Sequence, residues 1–211
     1  MIKRIIEERS RIDGYKHTVG GAAFFNDPSY REDFEWLILS YLTSALSAAG
    51  WECPEYAEKL LPPEPDFQTY LTLSSSHWLV ETTEVLRPGY HRGDFHRKAA
   101  RSGRKIHDIP DPHPEPWSSF LYVIRKKLGK PYSGRSSLLI YDDMTASDFP
   151  DYRPWHERIF TQLRTWTQDS ASTCDLTKSR YENIFVVDAS GVGALRLHPH
   201  WDVIRESPFP S

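Results

Sequence analysis

The sequence predicts an α/β fold in a single domain. Three observations predict it: an amphipathic helix pattern early in the chain, two alternating strand-like segments joined by a serine turn, and later short apolar runs separated by helical stretches. With 211 residues, 39% hydrophobic and 13% aromatic, the chain can bury a real core without staples.

From Ser29 to Gly50 the residues Phe34, Leu37, Ile38, Tyr41, Leu42, Ala45, Leu46 and Ala49 recur at steps of three and four, which marks a helix opened by Asp27-Pro28 and closed by Gly50. No strand is evident between Gly50 and Pro65. Beyond it Phe67, Thr69, Leu71 and Leu73 alternate with polar partners, Ser74 to Ser76 reads as a turn, and His77 to Leu86 is again rich in strand formers, so an antiparallel hairpin is expected. Tyr90 to Trp117 reads as a short helix and a proline-rich loop. Ser118 to Gly129 carries the helical stripe Phe120, Leu121, Ile124 and Leu128, and Ser137 to Tyr141 is a short buried strand. Trp155, Ile159, Leu163 and Trp166 suggest one more helix, and Ile184 to Val187 one more strand before the turn Ser190 to Gly193.

Composition excludes several classes. No apolar run is long enough to cross a bilayer, and the first ten residues are charged throughout rather than a secretory leader, so a cytoplasmic setting is expected. Cys53 and Cys174 lie far apart with no CxxC pair and are expected to be reduced. No GxSxG elbow or phosphate-cradling glycine loop occurs, and the spacing of His91, His96, His107 and His113 matches no common zinc pattern. The net charge of −3 means that any nucleic-acid contact must come from a local basic face.

Two carboxylates draw attention. Strand alternation places Glu81 among apolar neighbours with Leu79, Thr83 and Val85 on its face, and Asp66 stands at the start of the partner strand directly after Pro65. Carboxylates on neighbouring strands repel unless a cation neutralises them, and Mg²⁺ is the usual cation of all-oxygen sites. Taken singly, each residue also has a plainer role: Asp66 as a strand-entry cap, Glu81 as one half of a buried ion pair.

Pro65-Asp66 followed by Glu81-x-Thr83 on the next strand resembles the PD-(D/E)XK nuclease pattern, with threonine in place of the usual lysine. The order of helix, Asp-bearing strand, Glu-bearing strand, helix and strand is similar to that family's core over residues 29–143, leaving about 150–205 as an elaboration within the one domain 1–211. The resemblance implies a restriction-endonuclease-like core, a central mixed sheet flanked by helices, with Asp66 and Glu81 binding Mg²⁺ or Mn²⁺ and phosphodiester hydrolysis of DNA or RNA as the activity. Because Thr83 cannot supply the lysine, and some branches carry it on the following helix, Lys127 is the candidate; it lies three residues after Ile124, on the inward side, and Lys126 and Lys130 are reserves. The family often adds a metal-binding acid from the first helix. Glu35 fits, lying within roughly 60° of the centre of the apolar stripe, whereas Glu32 and Asp33 fall beyond about 100°.

Nucleic acid is the expected partner. Arg92, Arg97, Lys98, Arg101, Arg104 and Lys105 crowd one segment against the single acid Asp94, and Lys130 adds to them after the second helix. The alternative is a catalytically inactive member of the fold that binds nucleic acid or a protein, favoured by the missing lysine at Thr83.

Overall fold

A computed structural model describes residues 1–19, 24, 28–85, 116–129, 136–142, 161–169, 176–188 and 194–205. Among these, eight strands form one mixed sheet whose spatial order is the chain order. They are β1 (Ile2–Arg4), β2 (Pro54–Lys59), β3 (Phe67–Leu71), β4 (Ser76–Glu84), β5 (Ser136–Asp142), β6 (Tyr181–Asp188), β7 (Ala194–His198) and β8 (Asp202–Arg205). Strands β1 to β4 form an antiparallel meander, β4, β5 and β6 run parallel, and β6 to β8 are antiparallel again. The helices are α1 (Ile5–Val19), α2 (Arg31–Ala48) and α3 (Pro116–Leu128), with a further helical stretch at 161–168. The chain is therefore α/β, and its sheet draws strands from both ends of the sequence.

Alternation along the central strands divides the core in two. Leu139, Tyr141, Phe185 and Val187 join Phe67, Val80 and the residues of α1 and α2 in one cluster. Leu138, Ile140, Ile184 and Val186 join Val85, Phe120 and Ile124 of α3, and Leu163 and Trp166, in the other. A parallel strand covered on both faces must be apolar on both, which is why β5 and β6 read as unbroken apolar runs rather than alternating ones. Helix α2 packs against both α1 and the sheet, and every residue from 34 to 42 is buried. Ser40 meets that burial by donating to the Leu37 carbonyl at 2.6 Å.

Strand β2 occupies the interval where no strand was expected. Its sequence, Pro-Glu-Tyr-Ala-Glu-Lys, buries only Pro54 and Ala57, so no period of two is visible, and pairing with β1 and β3 supplies the order. Helix α1 is equally faint: its buried apolar anchors Ile5 and Ile12 stand a heptad apart, and polar contacts do much of the docking. Arg9 donates to Ser44 at 3.0 Å and lies over the Tyr41 ring, while Arg11 bridges Glu8 and Asp33. The expected hairpin forms, but its four-residue turn falls at 72–75, between the paired Leu71 and Ser76, so Leu73 lies in the turn rather than in the strand and Ser76 in the strand rather than in the turn. No helix among the described residues is long and apolar enough to cross a membrane. The expected helix and loop of 90–117 fall outside the described residues up to 115, as do the turn at 190–193, Cys174 and the four histidines from 91 to 113.

Candidate functional site

Strand β3 starts one residue after Asp66, and the β3–β4 ladder pairs Phe67 with Val80. Asp66 does not extend that ladder as a strand residue. Its carboxylate bends into it: Oδ2 accepts the Thr82 backbone N–H at 2.7 Å and the Thr82 hydroxyl at 2.6 Å. One side chain thus serves Thr82 as a strand carbonyl would. Asp66 also gives its own carbonyl to Leu60 N at 2.9 Å, tying down the proline-rich connection from β2.

Thr82 pairs with Leu139 in the parallel register, so its side chain lies on the α2 face of the sheet. Lys59, the last residue of β2, stands on that face too, paired with Phe67 and with its ammonium 4.4 Å from the Phe67 ring centre. The ammonium reaches Asp66 Oδ1 at 3.4 Å and is hydrogen-bonded to Glu35 Oε2. The other Glu35 oxygen takes Arg31 Nε at 3.1 Å, an i,i+4 pair along α2. Glu35 is 6% exposed and Arg31 80%, so the line Thr82, Asp66, Lys59, Glu35, Arg31 runs from the sheet outward to solvent. It lies near the carboxyl end of β4, the side of a parallel sheet on which open α/β folds tend to bind ligands.

Burial pushes the Asp66 carboxyl up, but the Thr82 hydroxyl, the charge on Lys59 and the Thr82 N–H together outweigh it and hold the group below the usual carboxylate range. Burial likewise pulls the Arg31 guanidinium down, and Glu35 more than restores it, so Arg31 is firmly charged.

Glu81 looks the other way. It pairs with Leu138, on the α3 face, and its carboxylate meets the Lys127 ammonium, the two side chains being 7% and 13% exposed. Thr83 pairs with Ile140 and is half-buried on this same strand segment. The residues singled out from the sequence are therefore brought together in two groups. Glu35 and Asp66 are joined through Lys59 on the α2 face, and Glu81 and Lys127 are joined to each other on the α3 face. Of the reserve lysines, Lys126 is exposed and lies against the Tyr122 ring. Arg92, Arg97, Lys98, Arg101, Arg104, Lys105 and Lys130 fall outside the described residues.

Among the described residues no three His, Cys, Asp or Glu side chains form a group able to hold a metal ion. Two carboxylates from different elements nevertheless converge on one cation at Lys59. Mg²⁺ and Mn²⁺ accept such a donor set, since one or two carboxylates suffice when water and substrate oxygens complete the shell. The fit is thus to Glu35 with Asp66; Glu81 does not join it.

Lys59, Arg31 and Thr82 complete the cluster and were not singled out as site side chains in the sequence. Arg31 carried a signal, four residues before an inward glutamate. Lys59 carried none, because its strand has no readable period. Compared with protein-family models, curated proteins and solved structures, the chain matches none of them.

Proposed function

We propose that this chain is a divalent-metal-dependent phosphodiesterase acting on nucleic acid, built on a PD-(D/E)XK-like scaffold with its working carboxylates on the α2 face. One observation carries the reading: Glu35 of α2 and Asp66 before β3 are aimed at a single positive charge. The order of α2, three antiparallel strands, α3 and a parallel strand supports it, since β2 provides the strand that the sequence did not disclose.

Glu35 and Asp66 would hold the metal. When bound, Mg²⁺ or Mn²⁺ contributes Lewis acidity toward a phosphoryl oxygen and acidifies a ligated water. Thr82 fixes the Asp66 carboxylate through two hydrogen bonds, so little orientation is left to be gained when substrate arrives. Arg31, anchored by Nε and otherwise open to solvent, is suited to meet a phosphate at the rim. The Glu81–Lys127 pair holds α3 to β4 and takes no part in the chemistry.

Nicking of supercoiled DNA and cleavage of labelled RNA with Mg²⁺ and Mn²⁺ test the proposal. Wild type should cleave at least one, and Asp66→Asn and Glu35→Gln should not. Activity that survives in both variants removes this site.

A second reading, a silent nuclease-like module that binds nucleic acid or protein, is favoured by a separate observation. Glu35, Asp66 and Glu81 each already have a cationic partner in the protein. Nucleic-acid binding without cleavage by the intact chain would select it.

A further inference from the structure

Lys59 is the unusual member of the cluster. A lysine that serves a surface ion pair has one partner and keeps its head in water, a contact worth little. Here the ammonium sits between two carboxylates contributed by a helix and by the residue before a strand, with its side chain 23% exposed and the Phe67 ring beneath it. Glu35 is almost wholly enclosed, and its outer oxygen is already held by Arg31. Two carboxylates pinned this close would repel strongly without a cation between them. The ammonium therefore stands where a divalent cation would bring the same two oxygens together.

Resting on the functional reading above, we infer that Lys59 is a built-in counter-ion which the divalent metal must displace. In metal-free protein the ammonium offsets the repulsion between the two carboxylates, and metal enters only as the ammonium leaves. The Lys59 stem is attached at the end of β2, so the displaced head moves outward with its chain, toward the rim that Arg31 occupies, and adds a second cation for the substrate phosphate. Metal binding and the making of a phosphate-binding rim are then one event. Lys127 has no such part, because Glu81 holds it on the opposite face.

The decisive measurement is metal affinity, read by calorimetry with Mn²⁺ and Mg²⁺ alone. Lys59→Gln should bind Mn²⁺ roughly tenfold or more tightly than wild type, since a full charge competing at contact distance has been removed. Lys59→Arg, which keeps the charge, should bind no tighter than wild type. Equal or weaker binding by Lys59→Gln overturns the inference while leaving the two-carboxylate site standing. Absence of binding in wild type and variant alike overturns the inference and the functional reading together. Should Lys59→Gln fail to fold, the wild type answers by amine acetylation with mass-spectrometric readout. Labelling of Lys59 should rise several-fold when Mn²⁺ is added while labelling of Lys127 holds steady, and an unchanged or falling Lys59 signal overturns the inference.

Discussion

Glu81 and Thr82 are adjacent in β4 and serve opposite faces of the sheet: Glu81 meets Lys127 beneath α3, and Thr82 holds Asp66 beneath α2. A motif read along a strand gathers residues two apart, so a pattern spanning Asp66 and Glu81 reaches one site only if Asp66 projects as an ordinary strand residue. It does not, because its side chain folds into the ladder. The two faces can therefore be perturbed separately.

On the α3 face, Glu81→Ala leaves the Lys127 ammonium enclosed beside an apolar cluster, and loss of one partner of a buried pair costs about 3 kcal/mol. Replacing both, Glu81→Leu with Lys127→Met, should recover most of that loss. Urea unfolding of the two singles and the double gives the coupling. The double variant should cleave nucleic acid as wild type does, and a dead but folded double would return Glu81 to the reaction.

Acid should weaken the protein through Asp66. Its folded-state carboxyl titrates below the ordinary range, so its contribution is fully present above the unfolded value near 3.9 and is lost as pH falls through the lower folded value. Asp66→Asn keeps an acceptor for Thr82 and removes the titration. Its unfolding free energy should fall less steeply than that of wild type between about pH 5 and pH 2. Parallel acid limbs in the two proteins would contradict this assignment.

Ser75 closes the β3–β4 turn with φ of 51°, a left-handed conformation that a side chain disfavours. Ser75→Gly should raise stability by up to about 1 kcal/mol, seen as a higher urea midpoint at unchanged slope. No change in cleavage is expected.

Nucleic-acid affinity should depend on basic side chains rather than on the two carboxylates. Reversing Arg97, Lys98 and Arg101 should weaken oligonucleotide binding and flatten its dependence on salt, while Arg31→Ala should raise KM more than it lowers kcat. Fluorescence anisotropy across a salt series measures the first, and steady-state cleavage the second. Wild type that binds no oligonucleotide even at low salt ends both the active and the silent nucleic-acid readings.

How far the sequence disclosed this molecule follows from what each element buries. Helix α2 and the β3–β4 hairpin declared themselves because their apolar periods match their geometry, and Glu35 was placed on the buried side by helical phase alone. β5 and β6 were visible as apolar runs. By contrast α1, β1 and β2 contribute few apolar side chains and are ordered by pairing and ion pairs, which periodicity cannot register. β7 and β8 were not separated from the tail. At the site, Glu35 was found as an inward acid and Asp66 as a carboxylate at the start of its strand, but the ammonium that joins them comes from an unreadable strand. The direction of the Asp66 side chain depends on a bond to Thr82 that no spacing rule encodes.

The bond from Thr82 to Asp66 also makes a remote turn answerable for the site. Which residue of β4 lies under the Asp66 carboxylate is set by how many residues the chain spends at 72–75. An exposed turn of that kind ordinarily tolerates an added residue. Here one extra residue that slipped the pairing by a single step would bring a neighbour of Thr82 into its place, with its side chain on the wrong face. The carboxylate would lose its hydroxyl partner, and Lys59 would face an acid no longer held in position. A length change in that turn could thus silence the protein while leaving every residue of the cluster intact.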